Sequence, residues 1–243
     1  MGEKTISRFV FTHPGNIGIY GKTQSGKTSL IFNLIRNIDT MVRDKYGDFV
    51  HYNSIWVFHG VASQPLYEEL QLDEPLINFY RGFPTEPIED IITKEQRPAL
   101  VFIDDQEELL RDSGENRVKN LVNRDCHHLD MLVVMSFQSL FPRGNESLNI
   151  QRQFDVYVFM TFAGNNNIKL KLEKVLGERN KMINLIVKVW RKWTAIRGGY
   201  MLIDLHLDRI DRHKEVIAWY KIFPSDQKDE RNPPRVLRRN LVR

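Results

Sequence analysis

Residues 21–28 read GKTQSGKT, between the apolar run Ile17-Gly18-Ile19-Tyr20 and the segment Ser29-Leu30-Ile31-Phe32-Asn33-Leu34-Ile35. The first flank has the short, β-branched character of a strand. The second sets Leu30, Ile31, Leu34 and Ile35 at helical spacing, so a helix is expected from Lys27 to about Asn37. The octapeptide fits G-x-x-x-x-G-K-[ST] at every fixed position, in the strand-then-helix context that the pattern requires. Glycines at these places leave backbone N–H groups free of Cβ obstruction, and a helix N-terminus adds partial positive charge, so phosphate is the expected ligand. In that geometry Gly21, Thr23, Gln24, Ser25 and Gly26 supply backbone contacts to ATP, Lys27 reaches its β- and γ-phosphates, and the Thr28 hydroxyl sits on Mg²⁺.

Outward from this loop, short apolar or aromatic runs at 54–58, 76–80, 99–103, 131–135 and 156–160 read as strands. Helices are expected at 86–96, 116–127 and 166–176, the last with Gly177 as its C-cap. This alternation predicts an α/β fold, a P-loop NTPase with a mostly parallel central sheet flanked by helices. The later segments 182–189, 200–205 and 216–223, with a turn signal at 197–200, are read as an antiparallel extension at one sheet edge. One domain, 1–225, is expected to include that extension (182–225), followed by a basic tail at 226–243.

The run Leu100-Val101-Phe102-Ile103-Asp104-Asp105 is apolar and ends in two carboxylates, at the end of the strand where open α/β sheets place their ligands. Asp104 is the candidate for Mg²⁺, through water, and Asp105 for the base that orients or deprotonates the attacking water. Glu107 and Glu108 are alternative bases, and the same acids also suit the cap of a helix beginning near Gln106. The next buried run, 131–137, ends in Gln138. If that strand inserts between the other two, its amide donates to a phosphate oxygen and accepts from water at once, a sensor of the γ-phosphate; from spacing alone it equally well just ends a strand.

Composition narrows the class further. The chain has 243 residues, a formal net charge of +4 and a sequence pI near 9.1. No apolar run reaches the roughly 18 residues of a membrane span, and the first residues, MGEKTISRFV, lack the apolar core of a secretory signal, so a protein without a membrane span and not secreted is expected. The single cysteine, Cys126, excludes an internal disulfide and a cysteine-built metal site. Positive charge gathers late: Lys188, Arg191, Lys192 and Arg197 surround Trp190 and Trp193, and the tail adds Arg235, Arg238, Arg239 and Arg243. This is either a solvated basic face or a phosphate contact.

The order of these parts, with HHLDMLVVMSFQ at 127–138 and FDVYVFMTF at 154–162, resembles the genome-packaging ATPases of double-stranded DNA viruses in the FtsK/HerA superfamily, particularly the poxvirus-like packaging ATPases. The resemblance covers about residues 15–165. It implies an additional-strand P-loop ATPase that assembles into a homo-oligomeric ring and moves double-stranded DNA, held through its phosphates, into a preformed capsid. The capsid or its portal vertex becomes a partner, and the host cytoplasm or nucleus at assembling capsids the location. Lys27 and Thr28 match the family's phosphate-loop pair, Asp104 and Asp105 its acidic pair, and Gln138 its sensor amide. Relatives often carry Arg-His where this chain has His127-His128, so the trans-acting arginine falls instead to Arg124, with Arg111, Arg143 and Arg152 as the other candidates. A P-loop kinase and a nucleotide-dependent capsid assembly factor are the competing readings.

Overall fold

The strand that carries residues 131–137 decides the topology. In a computed structural model describing residues 11–60, 65–106, 115–142, 147–162, 165–176, 183–195, 198–205, 216–221 and 235–238, β7 (Met131–Phe137) inserts between β2 (Gly15–Tyr20) and β6 (Ala99–Asp104). Its register runs Gly15 to Leu132 and Tyr20 to Phe137 on one side, and Ala99 to Met131 on the other. The tips of the phosphate-loop strand and the acidic strand are therefore separated by one strand width, and β7 delivers its own last residues between them. This is the additional-strand arrangement that the family resemblance implies.

Strands β8 (Val156–Phe159), β2, β7, β6, β4 (Ser54–His59) and β5 (Ile77–Arg81) run parallel in that order. Beyond β8 the direction reverses: β9 (Gly199–Asp204) pairs antiparallel with β8, β10 (Val216–Lys221) with β9, and β11 (Arg235–Arg238) with β10. The antiparallel edge is as expected, with β11 falling inside the stretch set apart as a basic tail. A separate short pair joins β1 (Phe11–Thr12) and β3 (Val42–Arg43).

Residues along each central strand alternate between two apolar layers, which is why the parallel runs are apolar without polar interruption. Ile17, Ile19, Leu100, Phe102, Leu132 and Val134 face one layer with α1 (Lys27–Arg36) and α3 (Pro65–Asp73). Tyr20, Val101, Ile103, Val133 and Met135 face the other. That second layer is covered by α5 (Glu115–Asn120), α8 (Asn165–Leu176) and α9 (Ile183–Thr194), the last through Ile183, Ile186, Val187 and Trp190. The remaining helices, α2 (Ile38–Met41), α4 (Ile88–Ile91), α6 (Cys126–His128) and α7 (Ser147–Arg152), are short.

Several segments depart from the sequence reading. Residues 182–189 were expected within the antiparallel extension, but Ile183–Thr194 is helical: its buried residues recur at three- and four-residue intervals, and a single face meets the sheet. Helix 86–96 is broken into Ile88–Ile91 and a 3₁₀ turn at Lys94–Gln96, capped by Thr93. Residues 65–73, unassigned in the sequence, form α3. Among the described residues no helix is long and apolar enough to cross a membrane.

Candidate active site

The phosphate loop is pinned at its first two residues. Gly21 N–H donates to Phe137 O at 3.0 Å, at the tip of β7, and Lys22 N–H donates to Thr161 O at 3.2 Å, just past β8. A Cβ on Gly21 would stand 2.2 Å from Ser25 Oγ and 3.0 Å from Met160 Cβ, so a larger residue here would require the Ser25 hydroxyl to swing away and Met160 to give. Gly26 takes φ +99° and leads directly into α1, whose first turn carries no acidic side chain and receives no side-chain cap. A helix start of this kind presents backbone donors to an anion. Lys27 is buried, and its ammonium donates to Gly21 O at 2.8 Å and Lys22 O at 3.3 Å, so the loop wraps the amine it will present.

Asp104, at the end of β6, is 2% exposed and accepts three hydroxyl donors. Its Oδ2 accepts from Thr28 Oγ1 at 3.2 Å and from the Tyr67 hydroxyl of α3 at 3.0 Å, while its Oδ1 accepts from Ser136 Oγ of β7 at 2.5 Å. Such a set of donors satisfies the lone pairs of a buried carboxyl group and fixes its orientation. Burial first, and then the Asp104 carboxylate, push the Tyr67 phenol well above its ordinary range, so it stays a donor. Ser136 Oγ also accepts Asp105 N–H at 3.1 Å, which ties both acids to β7.

Asp105 turns away from the strand with φ +55°, a left-handed conformation that aspartate tolerates better than most residues. Gly60 backs this turn closely: a Cβ there would lie 2.6 Å from Asp105 O. The half-buried Asp105 carboxylate accepts Gln138 Nε2, and Gln138 Oε1 accepts the Thr23 hydroxyl at 3.1 Å. A continuous chain of Thr23, Gln138 and Asp105 thus runs from the phosphate loop to the second acid.

The donor set fits a magnesium nucleotide. The loop supplies backbone N–H groups and one ammonium to an anion, and the adjoining Thr28 hydroxyl and Asp104 carboxylate are oxygen ligands of the kind a hard divalent cation takes. The structure brings together Gly21, Thr23, Gln24, Ser25, Gly26, Lys27, Thr28, Asp104, Asp105 and Gln138. It does not bring Arg124 to them. That residue lies in a π-helical turn, Leu121–Asp125, before β7 begins. The neighbouring Val122 O accepts Asn16 Nδ2 at the start of β2, so Arg124 belongs to the opposite end of the sheet from the loop. Its exposed side chain donates to Asp125 at 2.7 Å. Arg152 is exposed at the end of α7. Glu107, Glu108, Arg111, Arg143, Gly177 and Arg197 lie outside the described residues.

The sequence reading missed Tyr67 and Ser136. Tyr67 had a signal in Pro65-Leu66-Tyr67-Glu68-Glu69, a proline and acids opening a helix, but only the fold carries that helix to Asp104. Ser136 is the one hydroxyl in the run Met131-Leu132-Val133-Val134-Met135-Ser136-Phe137, a polar break in a buried strand that calls for a partner.

No protein-family model matches the chain, and no curated protein matches it. Its fold is that of P-loop ATPases of known structure. The DNA-packaging ATPase of Sulfolobus turreted icosahedral virus superposes with a TM-score of 0.56 at 11% identity, over 86% of this chain and 97% of that one. The genome packaging NTPase of Sulfolobus turreted icosahedral virus 2, in complex with AMPPCP, superposes at 0.55 with 12% identity over 86% and 98%. ATPases 2 and 3 of EssC from Geobacillus thermodenitrificans superpose at 0.51 with 13% identity over 78% of this chain and 37% of that one.

Proposed function

We propose that this chain hydrolyses ATP and uses the energy to move double-stranded DNA into a preformed viral capsid, working as a homo-oligomeric ring. The observation that carries the chemistry is the pair of hydrogen-bonded links across three strand tips, Thr28 to Asp104 and Gln138 to Asp105. The fold likeness to a DNA-packaging ATPase over nearly the whole of both chains supports the biological setting.

Each residue has a defined task in this reading. Backbone N–H groups of the loop and the start of α1 hold the phosphates, and Lys27 exchanges its carbonyl partners for the β- and γ-phosphate oxygens. Thr28 and Asp104 would hold magnesium, Asp104 by way of water, and the metal would supply polarisation of the phosphate oxygens. Tyr67 and Ser136 keep Asp104 oriented. Asp105 accepts the proton of the water that attacks the γ-phosphorus; the new phosphorus–oxygen bond forms as the bond to the β-phosphate oxygen breaks, and ADP leaves with the electron pair. Gln138 orients that water and registers the γ-phosphate, and Arg124 serves the neighbouring subunit of the ring. The DNA contact is to phosphates and indifferent to sequence, and the capsid or its portal vertex is the docking partner, in the host cytoplasm or nucleus where capsids assemble.

The test is phosphate release with and without duplex DNA, with the mass of the assembled particle measured under the same conditions. The reading expects DNA-stimulated release from a particle several times the 28.7 kDa chain. Turnover of a small hydroxyl acceptor in place of water would make it a kinase. Nucleotide binding with no DNA-stimulated release would make it an assembly factor.

A further inference from the structure

α9 carries a row of cations on its outer face. Its inner face, Ile183, Ile186, Val187, Trp190 and Thr194, is buried against the sheet. Lys188, Arg191 and Lys192 are exposed at positions i, i+3 and i+4, so they share one outward face, and the helix contains no acidic residue. Arg191 and Lys192 suit the negative end of the helix dipole, but Lys188 lies before that last turn. The neighbouring α8 exposes Lys169 and Lys174, while its Glu173 faces Lys169 at 3.8 Å.

The same helix is joined to the phosphate loop through two consecutive residues. Met160 donates its N–H to Tyr20 O at 2.8 Å, accepts Trp190 Nε1 on its carbonyl at 2.9 Å, and receives Ser25 Oγ at its sulfur at 3.7 Å. Thr161 accepts Lys22 N–H on its carbonyl at 3.2 Å and donates its hydroxyl to Thr194 O at 2.9 Å. Loop residues bond one side of this dipeptide and α9 bonds the other. Lys22 and Ser25 are thus each linked to the C-terminal part of α9 through one intervening residue.

We infer that the outer face of α9 is a contact for the phosphate backbone of duplex DNA, and that Met160 and Thr161 couple it to the nucleotide loop. This rests on the translocase reading above and names the surface that does the gripping. Three cations along little more than one helical turn offer charge without shaped base recognition, which matches a sequence-independent polyanion.

The direct test is fluorescence anisotropy of a labelled blunt duplex across a salt series, comparing the full-length chain with the double variant Lys188→Ala/Lys192→Ala. Two lost phosphate contacts should flatten the slope of log affinity against log salt by about 1.8, and lower affinity about tenfold or more at low salt. An unchanged slope in a variant with the parent's melting temperature overturns the α9 contact alone. Failure of the parent itself to bind duplex overturns both this contact and the translocase reading. Coupling is tested by the ratio of duplex affinities with and without AMPPCP and magnesium. That ratio should be about fivefold or more in the parent, the lower end of ordinary coupling between sites, and should collapse toward unity in Thr161→Val, which loses the bond to Thr194. A ratio of unity in the parent overturns the coupling route, and one retained in the variant overturns its Thr161 arm.

Discussion

The Tyr67 hydroxyl stands 3.0 Å from the same Asp104 oxygen that accepts the Thr28 hydroxyl. Tyr67 comes from α3, outside the strands that build the rest of the site, and its ring also leans on Phe32 of α1. If Thr28 turned to a metal ion, Tyr67 and Ser136 would remain to hold the acid. Tyr67→Phe should cost about 1 kcal/mol of stability, the net worth of one hydrogen bond, read as a small fall in urea midpoint. Ser136→Ala should cost more, because it also strands the Asp105 N–H. Both should lower kcat with little change in the affinity for an ATP analogue, and affinity falling in step with kcat would contradict the assigned role.

Gly60 is remote in sequence from every motif yet backs the turn at Asp105. A Cβ there would come within 2.6 Å of the Asp105 carbonyl, which is backbone and has no rotamer to give. Gly60→Ala should displace Asp105, lowering turnover about tenfold or more while nucleotide affinity is kept, since small misplacements of a reacting group are costly. Unchanged kinetics would free Asp105 from the positional role given to it.

Gln138→Ala cuts the chain from Thr23 to Asp105 without touching Lys27, Thr28 or Asp104. Turnover should fall about a hundredfold, the scale seen when one donor to a developing transition state is lost, with ATP-analogue affinity within a few-fold of the parent. Stopped turnover with normal binding is the signature of a sensor; normal turnover would return Gln138 to a strand terminus.

Lys171 of α8 is buried beneath the loop strand, its Nζ 4.4 Å from the centre of the Tyr20 ring and donating to Gln151. Burial, reinforced by Lys174, pushes its pKa down to about 7 from 10.5. Between those values the unfolded chain holds more protons than the folded one, so this group makes stability rise with pH from about 7 toward 10.5. Cys126 acts the opposite way only above 9, because burial raises its thiol to about 12. Urea denaturation from pH 7 to 9 should therefore show a rise in stability that Lys171→Met flattens; an identical slope in the variant would contradict a buried neutral amine.

Much of this was legible in the residues. GKTQSGKT with its flanks predicted strand, loop and helix, and LVFIDD predicted a doubly buried strand ending in acids, because local turn chemistry and hydrophobic period both act over a few residues. Gln138 was legible only conditionally, since its place depends on β7 inserting between β2 and β6, a long-range pairing. Tyr67 was hidden because its role arises from the packing of α3 against α1, and Met160 and Thr161 because their roles are largely backbone hydrogen bonds. Residues 182–189 misled because an apolar run with polar interruptions suits either period until a sheet face is there to choose.

The central claim is that the loop binds a triphosphate and that Asp105 activates water against it. Phosphate release from ATP and affinity for AMPPCP should be measured together on the parent, Lys27→Ala and Asp105→Asn. The account predicts loss of release in both variants, with affinity lost in Lys27→Ala and retained in Asp105→Asn. Near-normal release from Lys27→Ala would contradict it.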